Sequence, residues 1–132
     1  MYLNSTTGNL GIRGKLTASE VKIKLGGWAD FVFYEGYKLP TLKEVERHIK
    51  EKGHLKNIPS AKEVEKNGIF LGEMDAKLLQ KIEELTLYTI EQEKKLKSQK
   101  DKFDKQQKEI ENQRGKIERL ESLVEKLLKD KN

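Results

Sequence analysis

The C-terminal half of the chain carries one unbroken heptad repeat, which limits the folds open to it. With Ile82 at position a and Leu85 at position d, the pattern continues to Leu127, well beyond the roughly three or four heptads that make a coiled coil credible. The a positions are Ile82, Thr89, Leu96, Phe103, Ile110, Ile117 and Val124. The d positions are Leu78, Leu85, Gln92, Gln99, Gln106, Gln113, Leu120 and Leu127. Because the chain has no second long helix, other copies must cover this stripe, and the sequence predicts self-association.

Four glutamines replace apolar residues at successive d positions of this repeat: Gln92, Gln99, Gln106 and Gln113. A buried amide without hydrogen-bond partners costs about 1–3 kcal/mol, so these layers would strongly destabilise a dry, two-stranded seam. In three strands the amides can meet around a central cavity and bond to one another, to water or to an anion. Seven lysines against four acidic residues between Glu91 and Lys108 give this stretch a positive field that suits an anion.

The residues beside the seam bear on the number of strands. Ile or Val at a with Leu at d, as in Ile82 and Leu85, favours two strands. Apolar residues at the flanking e and g positions widen the stripe beyond what a dimer buries; they are Leu79, Tyr88, Leu123 and Leu128. Together with the glutamines, this width predicts a trimer, with the dimer as the alternative.

Charges at position g and at the following e position of a neighbouring chain favour a parallel orientation. Near the C-terminus two such pairs are complementary, whereas one pair further upstream is repulsive. The complementary pairs are Glu109 with Arg114 and Lys116 with Glu121. The repulsive pair is Lys95 with Lys100. The predicted partner is therefore the chain itself, in a parallel homotrimer formed by residues 76–132.

Residues 1–27 carry a pattern typical of strands. Apolar side chains alternate at Leu10 and Ile12, and again at Val21, Ile23 and Leu25, with glycines between them. Short strands of this kind cannot bury a face alone, so they need a sheet from neighbouring chains or from a preceding repeat. We interpret this segment as the end of a β-structured shaft, and the N-terminus as continuing from something longer.

Residues 28–75 are predicted to form a compact connector with two short helices. Thr41 with Glu44 and Ser60 with Glu63 have the spacing of capping boxes, and Gly53 and Gly68 follow as helix stops. Both helices are too short to be stable alone, so they must pack on something larger. The segment WADFVFY is predicted to be a buried strand or hook. The side chains predicted to pack the connector are Trp28, Phe31, Phe33, Val45, Ile49, Val64, Leu87, Tyr88 and Ile90.

Composition excludes several classes of protein. The chain has no cysteine, so disulfides do not stabilise it. Its net charge of +5 comes from lysines that alternate with glutamates, without a basic patch interleaved with aromatics, so nucleic acid is not an expected partner. No run approaches the length of a membrane span, and the N-terminus lacks the features of a signal peptide.

The middle of the chain resembles a known kind of module. Residues 29–96, above all IPSAKEVEKNGIFLGEM and LLQKIEELTLY, are similar to the C-terminal module of tail-fibre-like, repetitive surface proteins of Bacteroidetes and their phages. This resemblance implies a fibrous α+β fold: a short β shaft, two short helices and a long parallel trimeric coiled coil. It further implies a non-enzymatic module for trimerisation and folding, on a virion tail fibre or a cell-surface fibre. No cofactor is expected apart from anions in the glutamine layers.

Two other functions stay open. An adhesin tip that binds a cell-surface receptor or glycan would use an exposed aromatic such as Trp28, which we expect instead to anchor a core. The modules also resemble endosialidase-type intramolecular chaperones, some of which cleave themselves at a serine and lysine. Here the nearest match is Ser19 with Lys22, and two residues at this odd spacing on one strand face opposite directions.

No catalytic or metal-binding residue is predicted. His48 and His54 lie on either side of a helix stop, a spacing that is not a metal motif, so we expect solvated or capping histidines. Glu73 and Asp75 are expected to favour the N-terminal turn of the long helix.

Overall fold

The computed structural model describes every residue from Met1 to Asn132. Its elements in chain order are β1 (Tyr2–Asn4), β2 (Asn9–Gly11), a 3₁₀ helix (Ala29–Phe33), α1 (Leu42–Lys52), α2 (Ala61–Asn67) and α3 (Leu71–Asp130). A long C-terminal helix, two short helices and a small N-terminal sheet are thus confirmed. The chain divides into two units. The first unit contains Met1–Ala29 and Thr41–Leu78, and the second contains Asp30–Pro40 and Leu79–Asn132.

A tight hairpin forms the sheet of the first unit. Strands β1 and β2 are antiparallel, and Leu3 pairs with Leu10. Asn4 organises the turn, because its Oδ1 accepts hydrogen bonds from the backbone N–H groups of Thr6 (3.0 Å) and Thr7 (3.1 Å). The first predicted alternation is therefore a strand over Asn9–Gly11.

The second alternation, residues 21–25, differs from the predicted strand. It has no strand beside it, because the sheet contains β1 and β2 alone, and an unpaired strand leaves its backbone groups without partners. Instead its apolar side chains approach the first turn of α3. A Cβ on the buried Gly72 would lie 2.8 Å from Leu25 Cδ1 and 3.0 Å from Ile23 Cγ2. The missing side chain at Gly72 thus lets the segment lie against the helix.

Both short helices have the predicted caps. Thr41 Oγ1 accepts from the Glu44 N–H (3.3 Å), and Glu44 Oε2 accepts from the Thr41 N–H (2.7 Å). Ser60 and Glu63 repeat these bonds at the start of α2, with the same two distances. Gly53 ends α1 with a φ of 76°, a conformation that favours glycine. The backbone and side-chain bonds from Thr41 hold the pKa of Glu44 below its ordinary value, so this cap weakens at low pH.

Helix α3 begins at Leu71, before the predicted start of the coiled-coil segment. Good helix formers dominate its sequence and it contains no proline, so nothing interrupts the backbone ladder. Ion pairs one turn apart support it, with Lys77 2.7 Å from Glu73 and Lys95 2.6 Å from Glu91. Glu73 lies in the first turn, as predicted. None of the helices combines the length and the apolar character that crossing a membrane requires.

Candidate assembly interface

The a and d side chains of α3 form an exposed stripe. Its apolar members are between 44% exposed, at Ile110, and 66% exposed, at Leu127, and the four seam glutamines are exposed as well. Leu71, also exposed, stands seven residues before Leu78 and so extends the d positions by one heptad. Soluble monomers rarely leave an apolar surface of this length uncovered. The stripe is therefore the candidate interface of this protein.

In the second unit, residues Asp30–Pro40 form a strap on residues 80–88 of α3. Tyr37 Oη donates a 2.6 Å hydrogen bond to Glu84 Oε1. Gln80 Nε2 donates both to Glu84 Oε1 (2.9 Å) and to Tyr37 Oη (3.2 Å), and Lys81 Nζ lies 2.8 Å from Glu84 Oε2. Three hydrogen bonds therefore connect the Glu84 carboxylate, which is only 5% exposed, with its neighbours, and a fourth joins Gln80 to Tyr37.

Aromatic side chains pack within the strap and attach its end to α3. The rings of Phe31 and Tyr37 pack at a centroid distance of 5.8 Å, tilted by 52°. At the end of the strap, Tyr88 Oη donates a hydrogen bond to the carbonyl oxygen of Pro40. Within the strap, Val32 is buried.

The heptad register shows which side of α3 the strap occupies. Of its hydrogen-bonding partners, Gln80 and Glu84 stand at positions f and c, on the side away from the seam, and Tyr88 stands at position g, beside the seam. The a and d side remains open and forms a shallow depression; its lining residues are Ile82, Leu85, Thr86, Thr89, Ile90 and Glu93. The strap therefore covers the outer side of the helix and leaves the predicted seam accessible.

Glu83, at position b, lies beside this cluster in a less favourable environment. It is 7% exposed, and its Oε2 has no hydrogen-bond partner. Burial, and then the negative charge of Asp30, raise the pKa of this carboxyl above its ordinary value. Glu83 and Glu84 are thus both buried, but Glu84 accepts several hydrogen bonds whereas Glu83 Oε2 accepts none.

The predicted connector residues belong to both units and differ in exposure. In the first unit, Trp28 is 53% exposed, while Val45 and Val64 are half-buried. In the second unit, Leu87 and Tyr88 are half-buried. The remaining predicted packing residues retain more exposure; these are Phe31, Phe33, Ile49 and Ile90. WADFVFY contains a 3₁₀ helix over Ala29–Phe33, so the strand, one of the two predicted alternatives, is wrong.

The two histidines of the first unit contact each other. Their rings meet edge to face at a centroid distance of 5.7 Å, and His48 Nε2 is buried without a hydrogen-bond partner. His54 Nδ1 lies 3.0 Å from the Leu55 carbonyl oxygen, which fixes this nitrogen as a donor. No cluster of three or more His, Cys, Asp or Glu side chains is arranged to hold a metal ion.

Replacing Tyr37 with phenylalanine should loosen the strap. The change removes the hydroxyl that donates to Glu84 and leaves a buried carboxylate short of one donor, at a cost of about 1–3 kcal/mol. Hydrogen exchange should show faster exchange of the strap amides in Y37F. Tyr34→Phe is the matched control, because Tyr34 is 68% exposed. Unchanged strap exchange in Y37F would contradict this role for the hydroxyl.

The strap cluster was not among the residues predicted from the sequence. Tyr37, Gln80, Glu83 and Glu84 match no motif, and Tyr37 bonds to Glu84 across 47 positions of the chain. One signal for it was present. Leu87 places an apolar side chain at the outer position f, where a coiled coil ordinarily meets water, and this indicates that another segment covers the outside here.

Comparison with known proteins gave no neighbour: no family model, no curated protein and no solved structure matches the chain.

Proposed function

We propose that this chain is a non-enzymatic homotrimerisation and registration module, in which the α3 helices of three copies form a parallel coiled coil. The observation that carries the proposal is the division of α3 into two sides. The strap occupies the outer side through Gln80 and Glu84, whereas the a and d side is exposed along the helix. This arrangement supports a partner along the seam without displacement of the strap.

Charge and spacing support other copies of the same chain as that partner. Glu109 at g complements Arg114 at e, and Lys116 complements Glu121, when identical helices lie parallel and in register. Because the glutamines recur every seven residues, a parallel, in-register arrangement also places them at equal heights along the axis in every chain. Each seam glutamine then meets its own equivalents.

The number of copies follows from the width of the apolar stripe and from the glutamines. Leu123 at g and Leu128 at e are more than half exposed and lie beside the seam, where a third helix would bury them. Tyr88, also at g, already donates to Pro40 in the strap, so the argument from width depends on the C-terminal leucines. Amide layers at Gln92 and the three following d positions are better accommodated around the wider axis of three strands.

In this proposal the coil aligns the chains for the segments upstream. Holding three chains in register reduces the entropy lost when distant strands pair, and such non-local pairing is otherwise slow. We further propose a fibrous protein as the setting, either a tail fibre or a surface fibre, which is what the sequence resemblance of residues 29–96 implies. Additional strands could then form beside residues 21–25, which have no strand partner within one chain.

Sedimentation equilibrium of the full chain tests this function directly. We expect one species with three times the mass of a single chain, at all concentrations above the dissociation constant. A species with twice the mass of a single chain would show that the assembly is a dimer and not a trimer. A monomer at high concentration would overturn the proposal, because α3 would then leave its apolar stripe in water.

A further inference from the structure

Glu83 and Glu84 follow each other in α3 and are both buried on the side of the helix that carries the strap. They are 7% and 5% exposed, which is unusual for glutamates of a single chain. Glu84 accepts hydrogen bonds from Tyr37, Gln80 and Lys81, but Glu83 Oε2 has no donor. The two carboxyl groups therefore favour different protonation states at the same place.

The surroundings of the Glu83 Oε2 atom favour a proton over a larger cation. Its Oε2 exposes less than 1 Å² to solvent, so neither a hydrated metal ion nor an ammonium group can reach that atom. Asp30, in the strap, is the charged group that acts on Glu83, and it carries the same sign. Protonation by solvent removes both the repulsion and the cost of a buried charge without requiring space.

We propose that Glu83 and Glu84 form a proton-controlled latch, which holds the strap on α3 most tightly when Glu83 carries a proton and Glu84 does not. With Glu83 neutral, Asp30 is no longer repelled from the helix. With Glu84 ionised, its oxygens accept from Tyr37 of the strap and from Gln80 and Lys81 of the helix. The latch lies within one chain and goes beyond the proposed assembly.

The alkaline limit of the latch comes from Glu83. Burial, followed by the charge of Asp30, raises the pKa of Glu83 above its ordinary value of 4.5. Stabilisation by a group with a raised pKa is fully present below that ordinary value and is lost as pH rises through the folded-state pKa. The strap should therefore loosen as pH rises above 4.5.

The acid limit comes from Glu84. Burial alone would raise the pKa of this carboxyl, but hydrogen bonds from Lys81, Tyr37 and Gln80 outweigh it and hold the pKa below 4.5. Stabilisation from Glu84 is present above that value and is lost as pH falls through its folded-state pKa. The two limits together place the tightest strap near pH 4.5.

Hydrogen exchange of the strap amides across a pH series tests the latch in the full chain. Protection factors, corrected for the intrinsic exchange rate at each pH, should peak near pH 4.5 and fall on both sides. Towards neutral pH, the expected loss is about tenfold for each unit by which the pKa of Glu83 is raised. A profile that stays level or rises from pH 4.5 towards neutral pH would overturn the latch.

Three variants assign the two limits. Glu83→Gln keeps a neutral side chain at every pH, so its strap protection should no longer fall as pH rises. Glu84→Gln should lower protection near pH 4.5 and remove the decrease on the acid side. Glu91→Gln is the matched control, because Glu91 also occupies position c, one heptad further on, and is exposed; it should keep the parent profile. An alkaline decrease that persists in E83Q, or an acid decrease that persists in E84Q, would overturn the corresponding half of the latch.

Discussion

Aspartate at both Leu120 and Val124 is expected to convert the proposed trimer into monomers. These residues occupy consecutive d and a positions in the C-terminal part of the seam, and both are more than half exposed on the single chain. Fully burying a Leu or Val side chain contributes about 1.5–3 kcal/mol, so two positions in three chains amount to on the order of 10 kcal/mol per trimer. The variant also places six carboxylates around one axis. Sedimentation equilibrium should show the mass of a single chain.

Ser122→Asp is the control for this experiment. Ser122 stands between the two substituted residues in sequence but at the outer position f, so it receives the same side chain without entering the seam. The control should retain the mass of the parent. If L120D/V124D also retained the parent mass, the heptad register assigned to α3 would be wrong.

The same double variant should lose helix as well as mass. Beyond the strap, α3 has no contact within its own chain that could replace the seam, and helices in proteins owe most of their stability to packing. Far-UV circular dichroism should therefore show a marked loss of helical signal in L120D/V124D and little change in S122D. Full helicity in a monomer would indicate that helix propensity and ion pairs such as Glu91–Lys95 are sufficient.

The local features of the fold could be predicted because the contacts that create them are local. The capping boxes at Thr41 and Ser60 join residues three positions apart, and the structure has the predicted bonds. The heptads predict one long helix in the same way, because each turn needs only its neighbours in sequence. The strand predicted over residues 21–25 needs a partner from another chain or a preceding repeat, and within the single chain this segment has no strand beside it.

The strap could not be predicted from pattern because it depends on contacts between distant residues. Tyr88 reaches the Pro40 carbonyl across 48 positions, and Gln80 reaches Tyr37 across 43. Residues 78–90 carry apolar side chains on nearly every side of the helix, which indicates that they need cover without identifying what covers them. Which segment supplies the cover depends on the path of the backbone through Asp30–Pro40. The burial of Glu83 and Glu84 depends on that same path, so the latch became visible only in the structure.

Leucine at all four seam glutamines should raise the melting temperature of the assembly well above that of the parent. Each substitution replaces an amide that needs hydrogen-bond partners with a side chain whose burial contributes about 1.5–3 kcal/mol, so the four layers together contribute on the order of 5 kcal/mol or more per chain. The gain carries a cost in specificity. Polar layers restrict the register and number of strands, and an unbroken apolar seam restricts them less.

Thermal melts and sedimentation together separate these two effects. Leucine at Lys94, Asp101 and Lys108 is the control, because these residues stand at the outer position f in the same stretch of α3; the melting temperature should not rise there. In the seam variant, a higher melting temperature with an unchanged mass would show that the glutamines lower stability and do not select the number of strands. A higher melting temperature with mixed masses would show that the glutamines select three strands. A lower melting temperature would mean that Gln92 and its equivalents do not lie in the seam.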